Sequence, residues 1–441
     1  MKKLSAGLFT KWLDQYRNNV FLKRLSTVLI LDILVRASNI LLLPVYLKLM
    51  APEEYGIYNY LLSIIQTLSV ILNFGLYVAQ SKYYSDAQTD ERRKTVLFNI
   101  FFSVTVLMLM VLVPLYTLNK DEALISFLFS KNGNYQHYRW PILMALITTV
   151  YTVILTNFFV ISERIKLFRN YNLVRLLVVH AVVLTCLFLF RTDTVKVRLT
   201  YTYFAEIAVM LGVFYFYFKE MLPKIDWKLI GNSLKLSLPI MVSAIWAASS
   251  NNSDKFFLEK YGTSKDLSSY YLAFSLANLL MMIVQSVQNV WLPKFLKEKD
   301  LRKNIAQTNK LMIRIGLGLA GISVLIVLGL VFILKIGVIS ADYWPTVYIL
   351  PILLIAQTVN SIATIYGNYF IYMEKTQWSL FTGVITLGVG LLISSYFISS
   401  WSVYGAALVY LVIQLTYLAL YYLVINTSLK RRLQREPNIT G

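Results

Sequence analysis

Several charged side chains interrupt long apolar runs of this sequence, and their types and spacing set the first question. Arg36 lies about eleven residues into the run 25–50, with Asp32 four residues before it, the spacing at which two helical side chains meet. A guanidinium there suits a wet cavity that holds an anion, with Asp32 orienting it. The same spacing also suits a self-neutralised pair that merely tolerates burial. Asp254 and Lys255 follow the polar stretch Ser249-Ser250-Asn251-Asn252-Ser253. A helix cannot turn such a stretch to lipid, so Asn251 and Asn252 are expected to line a water-filled space; the other reading is a helix end in solvent. Glu206, about ten residues into the run 197–218, suits a proton-carrying carboxylate or the partner of a basic residue. Arg175 and Arg314 lie within two or three turns of the ends of their runs, where long side chains reach the interface. His180 reads as a hydrogen-bonded core residue or as a relay.

Other chemistry finds no support. One cysteine and two histidines, His137 and His180, make no disulfide scaffold and no Cys/His metal site. No phosphate loop, H-E-x-x-H or G-x-S-x-G is present. Gly316, Gly318 and Gly321 spell G-x-G-x-x-G, but inside an apolar run rather than between a strand and a helix, where small residues serve close packing instead. No catalytic group and no cofactor is expected, and the chain reads as a non-enzyme.

The elements that must position these charges follow from composition. The chain has 441 residues, 57% hydrophobic and only 15% charged, with a mean hydropathy of +0.61. Soluble domains carry about 25% charged residues, so lipid is the solvent for most of this surface. About 20 apolar residues span a bilayer as a helix. Twelve runs qualify: 25–50, 55–81, 95–118, 140–162, 167–190, 197–218, 234–259, 267–292, 308–334, 345–372, 377–399 and 402–425. The fold expected is an all-α integral membrane protein.

The net charge of +20 has a topological cause. Roughly 28 of the 42 basic residues fall on the face that holds both termini, which the positive-inside rule makes cytoplasmic. Nucleic acid is not needed to explain the charge. One hairpin counts against this orientation, because Arg191, Lys196 and Arg198 fall outside. Residues 1–24 carry apolar side chains at helical spacing between lysines, which suits an amphipathic arm on the inner leaflet or a disordered basic tail.

The halves look alike at an offset of about 212 residues. Tyr55-Gly56-Ile57-Tyr58 opens the second run and Tyr270-Tyr271 the eighth. The expected organisation is an N-lobe over 25–218, a polar linker over 219–233, a C-lobe over 234–425 and a basic tail over 426–441, the lobes pseudo-symmetric with six helices each.

Local motifs add a resemblance. Leu43-Pro44-Val45-Tyr46 with Pro52-Glu53-Glu54-Tyr55-Gly56-Ile57-Tyr58, Asn73-Phe74-Gly75-Leu76 with Tyr83-Tyr84, Asp254-Lys255-Phe256-Phe257-Leu258, and Tyr404-Gly405-Ala406-Ala407 together resemble polysaccharide and O-antigen flippases. These belong to the multidrug/oligosaccharidyl-lipid/polysaccharide (MOP) exporter superfamily. The resemblance implies flipping of undecaprenyl-diphosphate-linked oligosaccharide from inner to outer leaflet of the bacterial cytoplasmic membrane, by alternating access, for O-antigen, capsule or exopolysaccharide. It assigns Arg36, Lys255, Arg175 and Arg314 to the anionic headgroup, and Asp32, Asp254 and Glu206 to a coupling cation or to charge pairing. A proton or sodium gradient would drive it, with membrane lipid, the lipid-linked glycan and polysaccharide polymerase or assembly proteins as partners. Two rivals stand beside this reading: a multidrug exporter of the same superfamily, and a membrane-embedded polysaccharide-assembly enzyme.

Overall fold

The computed structural model describes Ser38 and residues 41–128, 135–373 and 377–435. The N-terminal arm, Asp32, Arg36 and the last residues of the basic tail lie outside the described residues. Among the described residues thirteen α-helices follow one another: α1 (Leu43–Leu49), α2 (Pro52–Leu72), α3 (Leu76–Asp86), α4 (Asp90–Thr117), α5 (Lys120–Leu128), α6 (Arg139–Ile161) and α7 (Ile165–Leu189). They continue with α8 (Thr194–Lys219), α9 (Trp227–Tyr261), α10 (Ser264–Lys297), α11 (Leu301–Lys335), α12 (Trp344–Tyr372) and α13 (Gln377–Arg435).

Ten segments among the described residues are long and apolar enough to cross a membrane. The last, Leu380–Leu429, crosses twice, because the chain folds back at Ser402, where φ is 45°. Ile413 stands 3.0 Å from where a Cβ on Gly390 would lie, although a straight helix would hold these positions about 35 Å apart. The described residues thus account for eleven of the twelve expected crossings, and α1 is the described end of the run expected to make the other.

Loop side chains start the helices. Asp226 accepts from the Leu229 amide (2.9 Å) at α9, and Thr263 and Asp266 form a reciprocal capping box at α10 (3.1 and 2.9 Å). The linker is therefore shorter than its composition predicts, since α9 begins at Trp227, inside the stretch 219–233. The second run is also not one helix. Phe74 (φ 51°) and Gly75 (φ 67°) break it between α2 and α3. Gly318 and Gly321 serve no close packing, since nothing lies within 4 Å of a Cβ added at either. The exposed Ile313, Leu317, Val324, Leu325 and Leu328 show that α11 turns a broad apolar face outward.

Two cores divide the molecule. One gathers Leu61, Ile65, Val96, Ile100, Val104, Val150, Phe158 and Tyr217 from α2, α4, α6 and α8. The other gathers Leu267, Leu280, Leu350, Leu353, Val409 and Ile413 from α10, α12 and α13, and takes in Leu43, Tyr55, Tyr60 and Ile64 from α1 and α2. The helix α2 thus belongs to both lobes.

The lobes meet at both ends of α2 and α3. At the Glu53 end, Lys265 bridges Glu53 (3.5 Å) and Asp342 (3.7 Å), and a Cβ on Gly56 would lie 2.5 Å from the Ser264 carbonyl. At the other end a Cβ on Gly75 would lie 2.7 Å from the Ser237 carbonyl. There Arg92 also binds Asp226 at 2.7 Å, and this hydrogen bond, with the Leu229 amide, holds the Asp226 carboxyl below its ordinary range.

Candidate functional site

The charged groups that the sequence singled out fall into two sites at membrane depth, one in each lobe. In the N-lobe, α7 presents Asn172, Arg175, Leu176, Val179 and His180, whose three- and four-residue steps place them on one face. On α8, Arg198, Thr202 and Glu206 recur every four residues and face them. With Tyr46 and Tyr58 these residues line a pocket of about 160 Å³.

Arg175 donates from Nε (3.0 Å) and Nη2 (2.5 Å) to the same oxygen of Glu206. The Arg175 side chain keeps 31% of its surface open, whereas that of Glu206 keeps 9%. The carboxylate is spent on its partner while the guanidinium retains an open flank. The Arg198 guanidinium lies 3.8 Å from the Tyr46 ring centre and 4.0 Å from that of Tyr58. Rings lie against its faces and Nη1 donates to the Met50 sulfur (3.3 Å), which leaves its other N–H groups to the pocket. His180 sits beside it, with Nδ1 2.8 Å from the Tyr46 hydroxyl and Nε2 3.4 Å from the Ser38 hydroxyl. Two guanidiniums against one carboxylate leave the pocket positive. Its donors suit an anion carrying several acceptor oxygens.

The C-lobe pair is enclosed. Asp254 and Lys255 have side-chain exposures of 0% and 3%. The ammonium donates to the Asn251 carbonyl (2.7 Å), approaches Asp254 at 3.3 Å, and lies 4.0 Å from the Phe274 ring centre, with Tyr410 beyond. Tyr270 donates its hydroxyl to Asp254. The polar stretch expected to border water therefore packs into protein at Ser250, Ser253, Asp254 and Lys255, because rings from α10 and α13 close over it. Asn252 binds Thr67 of α2 (3.2 Å) and Asn251 is exposed.

The structure thus brings Arg175 to Glu206 and keeps both apart from Asp254 and Lys255. Arg314 is exposed on α11, outside either site. His137 pairs with Asp193 at the Glu53 end. Asp32 and Arg36 lie outside the described residues. Among the described residues, no three His, Cys, Asp or Glu side chains converge as metal ligands would.

Sequence reading missed Arg198 as a site residue. It counted Arg198 among the hairpin charges that opposed the orientation, yet Arg198 is helical and turned into the N-lobe. The signal was present in the four-residue series Arg198, Thr202, Glu206. A further one lay in the offset that relates Tyr58 to Tyr270, since each ring borders a cation of its own lobe.

Residues 21–299 match the family described as "Polysaccharide biosynthesis protein". No curated protein sequence matches the chain. Among solved structures, "Lipid II flippase MurJ, inward closed conformation" is similar with a TM-score of 0.72 at 14% identity, covering 90% of this chain and 87% of that one. An inward-facing multidrug resistance MATE family transporter of the MOP superfamily is similar with a TM-score of 0.62 at 12% identity, covering 90% and 99%. An outward-facing MATE structure gives 0.60 at 12% identity, covering 92% and 95%. At these identities the shared property is the fold, that of a multi-pass helical membrane protein.

Proposed function

We propose, since the chain belongs to the polysaccharide biosynthesis protein family, that it flips an undecaprenyl-diphosphate-linked oligosaccharide from the inner to the outer leaflet. The cargo serves O-antigen, capsule or exopolysaccharide assembly in the bacterial cytoplasmic membrane, with both termini of the protein cytoplasmic and no catalytic step. The observation that carries this reading is the positive N-lobe pocket at membrane depth. Desolvating a diphosphate costs tens of kcal/mol by Born estimates. Arg175 and Arg198 supply charge-assisted donors that replace part of its hydration, while the lipid tail stays in the bilayer.

Arg36, Lys255 and Arg314 are further candidates for the anionic headgroup. Lys255 reaches it only after its aromatic enclosure opens, and Arg314 from the membrane surface. Asp32, Asp254 and Glu206 are candidates for a proton or sodium that couples the cycle. A multidrug exporter for cationic compounds needs a cavity of the opposite sign, which two arginines against Glu206 oppose.

Proteoliposomes holding the full chain and a defined undecaprenyl-diphosphate-linked glycan, with proton or sodium gradients imposed, test the reading directly. Leaflet transfer that rises with one gradient is the expected result. Arg36→Ala should abolish glycan export and Arg36→Lys should keep part of it. Unchanged surface polysaccharide in Arg36→Ala removes that residue from the headgroup site, and turnover of the lipid-linked sugar without transfer favours an enzyme.

A further inference from the structure

A second cavity, of about 360 Å³, lies between the lobes and borders the C-lobe charged site at Lys255. Carbon dominates its wall: Ile64 and Leu68 of α2, Phe127 of α5, Phe256 of α9, and Leu387 and Leu391 of α13. Six of the polar residues that border it, all but Ser249, hold hydrogen bonds within the protein. Tyr60 donates to the Leu128 carbonyl (2.6 Å), and Ser63 meets the Tyr271 hydroxyl (2.9 Å). Thr67 donates to the Ser63 carbonyl (2.9 Å) and accepts from Asn252 (3.2 Å). Ser253 bonds the Ser250 carbonyl (3.1 Å), and Lys255 the Asn251 carbonyl (2.7 Å). A phosphate or a sugar entering here meets donors that are engaged elsewhere. A hydrocarbon chain meets a matching surface.

Position narrows the occupant. Tyr60 to Leu68 lie about 12–24 Å along α2 from its Pro52 end, inside the depth of a bilayer's hydrocarbon. Leu391 is 48% exposed and Phe127 72%, so the mouth opens toward the surface that lipid covers. The Phe127 and Phe256 rings, 5.9 Å apart, reach toward each other across the lobe boundary there. The helix α2 separates this cavity from the cationic pocket: Tyr58 borders the pocket and Tyr60 the cavity, two residues apart and therefore on nearly opposite faces. One face of α2 favours charge and the other repels it.

We propose that this cavity is a slot for the hydrocarbon tail of the cargo, a polyprenyl chain held between the lobes around the middle of the bilayer. The proposal rests on the flipping reading above, since a lipid whose headgroup is bound on one face of α2 must keep its tail in apolar surroundings nearby. A bulk phospholipid has no headgroup there to bring its acyl chain in.

Photolabelling tests the slot apart from transport. The full chain in lipid nanodiscs is offered undecaprenyl diphosphate N-acetylglucosamine with a diazirine on the polyprenyl chain or, separately, phosphatidylglycerol with a diazirine on an acyl chain. The expected result is polyprenyl labelling of the segments that hold Phe256 and Leu391, competed by unlabelled polyprenyl lipid. Leu391→Trp should lower that labelling about tenfold, and Leu391→Phe by less in the same direction. In proteoliposomes, Leu391→Trp should slow transfer of the full-length lipid and spare a farnesyl-tailed analogue. Equal, uncompeted labelling by phosphatidylglycerol overturns the slot, as does labelling that ignores Leu391→Trp and Leu391→Phe. Labelling as expected in a chain that transfers nothing overturns the flipping reading and leaves the slot standing.

Discussion

The N-lobe and the C-lobe each hold a cation against a carboxylate and an aromatic ring, and they treat it in opposite ways. Arg175 keeps an open flank above Glu206, and Arg198 beside it offers its edge to the pocket. Lys255 and Asp254 are closed in by Tyr270, Phe274 and Tyr410. Sequence alone does not pair Arg175 with Glu206, since it places Arg175 within reach of the interface, and it favours Asp254 and Lys255 as lining a wet space. Their surroundings separate them: an open guanidinium can exchange water for a ligand's oxygens, whereas an enclosed pair mainly satisfies itself. On the proposed function, this difference makes the N-lobe pair the first candidate for ligand contact and the C-lobe pair the first candidate for cohesion.

Removing one member of each pair tests this division. Lys255→Met strands the Asp254 carboxylate without its cation and should cost about 3–5 kcal/mol, read as a large fall in Tm in detergent. Lys255→Met combined with Asp254→Leu should recover most of that loss. A Tm unmoved by Lys255→Met would erase the contrast between the lobes.

In the N-lobe the loss should appear in transport. Arg175→Ala or Arg198→Ala removes charge-assisted contacts of about 1.5–3 kcal/mol, so leaflet transfer of the lipid-linked glycan should drop roughly ten- to hundredfold. Arg175→Lys should retain part of it, because the charge stays while the forked geometry goes. A Tm loss as large as that of Lys255→Met would place both pairs in the same class.

Gly56 joins the two sites, because it seats α2, which carries Tyr58, against α10, which carries Tyr270. Gly56→Leu forces those helix backbones apart at a cost of about 1–3 kcal/mol. Cysteine-accessibility mapping near Tyr58 and Tyr270 should show greater exposure on both sides of that contact. Unchanged accessibility would mean that the helices meet less tightly than a Cβ distance of 2.5 Å requires.

The smallest effect belongs to the half-exposed Arg92–Asp226 pair, which serves as a control for ordinary surface charge. Its contribution is present above the unfolded carboxyl range and is lost as pH falls through the depressed folded value. Exposure limits it to about 1 kcal/mol or less. Acidification to below about pH 4 should therefore lower the Tm of the parent slightly more than that of Asp226→Asn.

Hydropathy read the crossings well because lipid imposes a length and a composition on each. The fold at Ser402 falls on the first residue of the run 402–425, just past the short gap that follows 399. The interruption at Phe74 and Gly75 was invisible, since hydropathy averages over residues and carries no record of a positive φ. The enclosure of Lys255 depends on Phe274 and on Tyr410, far along the chain, and no local window joins them. Arg198 was mislaid for the opposite reason: a count of loop charges took it before its helical partners were considered.

The interruption between α2 and α3 has a mechanical consequence. Gly75 comes so close to Ser237 that backbone touches backbone, and a side chain there would collide. Parts in such contact roll more readily than they slide. If one lobe rocks on the other, spin labels placed beside this spot should keep their separation, and labels that part there would show the contact sliding or breaking instead.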